Sequence, residues 1–287
     1  MTAPFDRAAA SIGNIVKLEH LNTRVPDQTA ATLFYIMGLG LTRDPYLNVG
    51  VSNMWINVGR QQFHLPTGEA QVIRGVTGLV VPDRSQLLDR LARVAKPLAG
   101  TLLRVDETAD AIEIVSPWGN RIRCHGPDRE RFGPIRLGMP YVEFDVPAGA
   151  AAGIARFYRE IMGAPAATVE GGKAARVAIG EQWLLFRETD APLADYDAHH
   201  LQIFVSDFAG PYNKLKTRGL ISAEDSAHQY RFVDIVDPQS GQPLYKLEHE
   251  VRSLLHSGYG REFVNRNPNQ QLGDYVPGND SLGWALP

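Results

Sequence analysis

Polar and apolar side chains alternate from His20 to Val25, and the stretch leaves through Val25-Pro26. Alternation with period two predicts a strand with one face toward a core. A helix-period segment carrying Phe34-Tyr35 follows, with Gly40 six residues after Phe34. The pattern then returns: Tyr141-Val-Glu-Phe-Asp-Val146-Pro147, a helix-period segment with Phe157-Tyr158, and Gly163. The offset is 121 residues at the valine and 123 at the phenylalanine. Val58-Gly59 and Ile179-Gly180 mark two hairpin turns that are again 121 apart, and Pro117 and Pro238 punctuate later hairpins at the same spacing. The chain therefore contains two copies of a unit of about 120 residues.

Each copy holds a half-repeat. Gly78-Leu-Val-Val-Pro-Asp83 opens a second strand and helix in the first copy, and His200-Leu-Gln-Ile-Phe-Val205-Ser-Asp207 does so in the second. Helical periodicity follows at Leu87, Leu88, Leu91 and Val94, and over 208–215. Short alternating strands come next, such as 111–115 and 230–236. The order is βαβββ, four times over, which predicts an α+β fold. It is not the βαβα order of a dinucleotide-binding fold, and no GxGxxG follows a strand. Residues 1–126 form the first pair of units, 127–138 a Gly-, Pro- and charge-rich linker, and 139–250 the second pair. Residues 251–287 lose periodicity and read as an irregular C-terminal extension, which wraps a neighbour or is mobile.

Composition narrows the function. With 44% apolar and 21% charged residues and a net charge of −3, the chain reads as an ordinary globular protein. It has no basic stripe for nucleic acid and no apolar run long enough to span a bilayer. The single cysteine, Cys124, excludes an internal disulfide and a thiolate-rich metal site. The beginning of the chain lacks a signal-peptide pattern, so a cytoplasmic protein is expected.

The strand that carries His20 and Val25-Pro-Asp, the Phe-Tyr…Gly helices, the strand from His200 to Asp207 and the Asp237-Pro238…Gly241 hairpin occur in an order that resembles the vicinal oxygen chelate family. Its members include glyoxalase I, extradiol ring-cleaving dioxygenases and bleomycin-binding proteins. The resemblance covers about residues 14–250. It implies that two units curl into one half-open barrel, giving two barrels in all. One divalent metal would sit inside, held by the first and fourth strands of the paired units.

Ligand-type residues at those places fall in units one and four: His20 and His64 in the first, His200 and Glu248 in the last. Units two and three offer Val76, Arg123, Tyr141 and Leu185 instead. The resemblance thus implies a 1+4 barrel holding His20, His64, His200 and Glu248, and a 2+3 barrel without metal. Strand parity places Lys246, Glu248 and Glu250 on one face and Tyr245, Leu247 and His249 on the other. A one-residue slip exchanges them, so Glu250 and His249 stay open as alternatives to Glu248. Imidazole and carboxylate suit Fe²⁺ first, with Mn²⁺, Ni²⁺ or Zn²⁺ as alternatives. His64 is either a fourth ligand or an acid–base beside the metal. His228 and Tyr230 are acid–base candidates, from a partial match to the extradiol pattern in which Asp234 stands where its tyrosine belongs. Asn22, Arg24 and Gln202 share the faces of His20 and His200, and Tyr245 falls at the family's usual glutamate spacing; all four are candidates to orient a substrate. The implied activity is that of a dioxygenase acting on a small oxygenated or aromatic compound. A glyoxalase-like isomerase or lyase and a metal-free small-molecule-binding protein are the alternatives. Four units can close two barrels in one chain, while the extension is long enough to clasp a second subunit in a homodimer.

Overall fold

The computed structural model describes residues 11–47 and 52–267. Unit one comprises β1 (Ile15–Asn22), α1 (Gln28–Ala31, continued by π-helical turns over Thr32–Gly38), β2 (Thr42–Arg43), β3 (Asn53–Val58) and β4 (Gln61–Pro66). Unit two comprises β5 (Gly75–Val80), α2 (Arg84–Ala95), β6 (Arg104–Glu107), β7 (Ile112–Val115) and β8 (Arg121–His125). The linker contains one helical turn, α3 (Arg129–Phe132). Unit three is β9 (Gly138–Pro147), α4 (Ala151–Glu160), β10 (Ala166–Val169), β11 (Ala174–Ile179) and β12 (Gln182–Thr189). Unit four is β13 (His200–Val205), α5 (Ala209–Thr217), β14 (Ile221–Ser226), β15 (Gln229–Val236) and β16 (Pro243–Ser253). The βαβββ order recurs four times, as the periodicity predicts.

The strand-to-helix corners follow from sequence. In Val25-Pro26-Asp27 the proline ends the ladder and the Asp27 carboxylate accepts from the Thr29 and Ala30 amides. Asp83 after Val81-Pro82 accepts from the Gln86 amide in the same way. Such caps contribute about 1 kcal/mol each to helix initiation. Unit three lacks the aspartate, and a carboxylate from another strand, Glu188, takes the Ala151 amide instead.

The strands form two eight-stranded sheets. One runs β14-β15-β16-β13-β1-β4-β3-β2 and the other β10-β11-β12-β9-β5-β8-β7-β6. Units one and four therefore share a sheet, and units two and three share the other. The central seams are antiparallel, β1 on β13 and β5 on β9, with parallel strands flanking them. Each sheet takes one unit from each half of the sequence, so the halves interlock. Two glutamines 121 residues apart brace the join reciprocally. Gln61 Oε1 accepts from the Met139 amide (3.1 Å), and Gln182 Oε1 accepts from the Leu18 amide (3.2 Å). The turns before them, Gly59 and Gly180, have positive φ (65° and 58°) and press on the opposite half. A Cβ there would stand 2.0 Å from Leu137 O or 2.2 Å from Val16 O, so only glycine fits. The main core is continuous and includes Phe34, Tyr35, Phe157 and Tyr158, the repeated Phe-Tyr pairs.

Candidate metal centre

Period-two alternation along the 1+4 sheet sends Leu21, Leu201, Ile203 and Leu247 into the core and puts polar side chains on the concave face. Register orders that face into rows. One row crosses the sheet as Asn57, Gln62, His20, Gln202, Glu250 and Arg231; the next reads Trp55, His64, Asn22, His200 and Glu248. The antiparallel seam relates the two units by an approximate local two-fold rotation. His20 then corresponds to His200, Asn22 to Gln202, and His64 to Glu250.

Ligand atoms of His20, His200 and Glu250 lie within 4.8 Å of one another. The His20 and His200 rings are 6.1 Å apart at their centres. Donors about 2.1 Å from one ion stand at most ~4.2 Å apart, so the three close on a cation by shifts of about half an ångström. Both His20 ring nitrogens are buried without a hydrogen-bond partner among the described residues. Nδ1 stands 3.5 Å from Glu19 Oε2, outside hydrogen-bond geometry. Burying an imidazole with both nitrogens unpaired is costly unless something accepts the lone pair. A divalent cation fits this donor set.

Electrostatics keep the imidazoles neutral, as ligation requires. Burial holds His20 well below its ordinary range, with the Arg252 and Arg231 guanidiniums reinforcing the effect. Burial, then the neighbouring His20, lowers His200 to about 2 and His64 to about 3. Burial pushes the Glu250 carboxyl upward, against the pull of Arg252 and Arg231. Arg252 bridges Glu250 Oε1 (2.5 Å) and Glu19 Oε2 (3.3 Å), and Arg231 binds both Glu250 and Glu248. Glu19 reaches this face because the β1–β13 register shifts between Leu18 and His20, which places Glu19 and His20 on the same side.

The carboxylate that clusters with the two imidazoles is Glu250, the alternative that strand parity left open, rather than Glu248. Parity is as expected, with both glutamates concave. The parallel β13–β16 register sets Glu248 beside His200 and Glu250 beside Gln202. Glu248 Oε1 stays 3.9 Å from His200 Nδ1 and ion-pairs with Arg231. His249 points to the other face, where Tyr158 Oη lies 2.7 Å from its Nε2 and Phe232 stacks on its ring.

His64 borders the triad. Its ring stacks on Trp55 (3.8 Å between centres) and meets His20 edge-on at 5.8 Å. The Asn22 amide nitrogen donates to its Nδ1 at 2.5 Å, which leaves the proton on Nε2. Turned over, the Asn22 amide would accept from Nδ1 and free Nε2 to ligate.

Other candidates do not join the cluster. Tyr230 points away from the concave face and packs against Phe208 and Tyr212. His228 is exposed at the β14–β15 turn, its carbonyl taking the Ser253 amide. Arg24 is exposed and leans over Gly68. Tyr245 is buried against Phe144 and Phe186, with the Arg74 guanidinium 4.3 Å above its ring. In each case parity or strand position directs the side chain elsewhere. Sequence reasoning missed Trp55, Glu19, Arg231 and Arg252. Trp55 lies opposite His64 on the neighbouring strand, a hairpin pairing readable by counting back from Gly59. The bulge that turns Glu19 inward has no sequence signal.

The described part of the C-terminal extension docks on this same sheet. Arg261 reaches Asp44 (2.8 Å), and the Asn265 side chain accepts from the Gly59 amide (2.9 Å) and donates to its carbonyl (2.8 Å). Residues 268–287 lie outside the described residues, so the clasp of a second subunit expected of them is not addressed.

No protein-family model and no curated protein matches the chain. Solved structures do. Glyoxalase I from Zea mays superposes with a TM-score of 0.59 at 12% identity, covering 83% of this chain and 92% of that one. A protein from Bacillus subtilis subsp. subtilis str. 168, provisionally described as a dioxygenase, gives 0.54 at 14%, covering 84% and 86%. The chain shares its fold with these two proteins. Within that fold the 1+4 pairing puts the chain's first and last units around one concavity. No helix among the described residues is long and apolar enough to cross a membrane.

Proposed function

We propose that this protein is a metal-dependent enzyme of the vicinal oxygen chelate type, with His20, His200 and Glu250 holding one divalent ion, iron(II) foremost. The observation that carries this reading is the convergence within 4.8 Å of the half-buried His200, one carboxylate and the buried His20, whose two ring nitrogens have no hydrogen-bond partner among the described residues. The best-supported activity is that of a dioxygenase on a small oxygenated compound, aromatic diols included. Two imidazoles and one carboxylate on one face leave coordination positions open for a bidentate substrate and O₂. A bound ion supplies Lewis acidity that favours the deprotonated form of a substrate hydroxyl.

The chain's own residues would do the rest. His64, held by Asn22 and stacked on Trp55, presents Nε2–H beside the triad as a hydrogen-bond donor. Arg231 and Arg252 hold the Glu250 carboxylate from behind and fix its orientation.

A glyoxalase-like isomerase or lyase is the second reading, favoured by the placement of His64 as the two-fold counterpart of Glu250. A fourth protein ligand would leave fewer open positions and suit proton transfer. Metal analysis followed by O₂ uptake with catechols under iron(II) tests both. Bound metal with O₂ consumption supports the dioxygenase. Metal without O₂ consumption, together with turnover of a hemithioacetal, supports the isomerase. A protein that binds an apolar ligand and takes up no metal overturns both.

A further inference from the structure

Gln202 is fully buried, and neither atom of its side-chain amide has a hydrogen-bond partner among the described residues. It lies on the concave face between His20 on β1 and Glu250 on β16, while its neighbours Leu201 and Ile203 enter the core. A carboxamide unpaired at both ends is expensive to bury, so its retention beside the triad calls for a partner. The other sheet shows what the position becomes without one. There the register puts Gly78 opposite Tyr141, where Gln202 stands opposite His20, and the Tyr141 ring covers Gly78 so closely that a Cβ would lie 2.3 Å from it. In one barrel the place is glycine under a tyrosine; in the other it holds an unsatisfied donor and an unsatisfied acceptor.

We infer that Gln202 positions the substrate and selects a small ligand with two neighbouring oxygens, one of which keeps its proton. This rests on the metal reading above. The amide NH₂ needs an acceptor and the amide oxygen needs a donor. A ligand with two acceptor oxygens, such as a 2-oxo acid, satisfies only the NH₂ and leaves Oε1 stranded. A 2-hydroxy acid, an α-hydroxyketone or a singly ionised catechol satisfies both. Trp55 adds a second donor on the same face: its indole N–H is buried without a partner among the described residues, with its ring against His64 and His20. It suits the oxygen that has given up its proton. Sites that hydrogen-bond a substrate hydroxyl reject analogues lacking it far more strongly than apolar pockets discriminate size.

Lactate and pyruvate make a matched pair, equal in carbon count and charge and differing in hydroxyl against ketone. Zinc, which is redox-inert, serves as the metal, and calorimetric titration measures binding of each acid to the zinc-loaded protein. The wild type is expected to prefer lactate by roughly tenfold or more. Gln202→Leu, and Gln202→Met as a second variant of matched length, are expected to keep one zinc and lose that preference. A wild type that binds both acids equally overturns the inference, as does a preference that survives in both variants. Loss of zinc from both variants also overturns it, because Gln202 then belongs to assembly of the metal site. A wild type that takes up no zinc overturns the metal reading itself, and selection by Gln202 falls with it.

Discussion

The two sheets are built from the same unit in the same register, yet among the described residues only one concave face gathers ligands. Where the 1+4 sheet has His20, His200, His64 and Glu250, the 2+3 sheet has Tyr141, Val76, Leu185 and Arg123. The second concavity is filled by its own side chains. Tyr141 bonds His125 (2.9 Å) and lies parallel to Trp183, and Arg123 is paired with Glu113 (2.5 Å). Tyr141, His125, Arg123 and Glu113 there are paired with one another. In the first concavity, His20, Gln202, Trp55 Nε1 and His64 Nε2 have no hydrogen-bond partner among the described residues. The difference teaches that the fold supplies a position and chemistry depends on whether the residue there is left unsatisfied.

Breaking the first barrel should have the largest effect. His200→Ala, like His20→Ala, is expected to lower zinc affinity more than a hundredfold, whereas Val76→Ala at the matching place in the second barrel leaves it within threefold. Competition titration against a chromophoric chelator reads both. Equal losses in the two barrels would erase the contrast.

The two glutamates come next. Glu250→Gln is expected to weaken metal binding at least tenfold, and Glu248→Gln by less than threefold, since Glu248 answers to Arg231 and not to the triad. The reverse order would restore the assignment made from sequence.

Acid sensitivity should trace to the first sheet, where imidazoles are buried neutral. His249 is held at about 4 by burial, below its ordinary value of about 6.5. Between those values the unfolded chain binds a proton that the folded chain refuses. Stability from this group is therefore complete above pH 6.5 and falls as pH drops toward 4, by about 1.4 kcal/mol per unit, or roughly 3 kcal/mol in all. Chemical denaturation at pH 7 and at pH 4.5 checks it: His249→Phe, which keeps the stack on Phe232, should flatten the difference. An unchanged difference would place the sensitivity elsewhere.

The smallest effect concerns the matching hairpin turns. The Gly180 amide donates to Ile15 O from β1, whereas the Gly59 amide donates to Asn265 of the extension. Asn265→Ala should cost about 1–3 kcal/mol and loosen the extension without unfolding the sheets, seen as earlier proteolysis after residue 253. Unaltered proteolysis would show that Asn265 does not hold it.

The architecture was largely legible because it rests on local signals that repeat: alternating strands, Val-Pro exits, Asp27 and Asp83 caps, glycine turns 121 residues apart. His20 and His200 were legible for the same reason, since each sits at the matching place on the first strand of a unit. Glu250 was harder. Parity narrowed it to one face, but its row depends on where β16 meets β13, and the turn after Asp237 carries no cue for that slide. Trp55 escaped although its hairpin pairing with His64 could be counted from Gly59, and Arg252 escaped because its partner Glu19 lies on a strand distant in sequence. His228 and Tyr230 were proposed by pattern alone, and strand geometry turns them away.

Metal content after exhaustive dialysis tests the central claim most directly. Wild-type protein supplied with a divalent metal should retain one equivalent per chain, and His20→Ala and His200→Ala, folded by circular dichroism, should retain none. A wild type that retains no metal, or variants that retain a full equivalent, would contradict it.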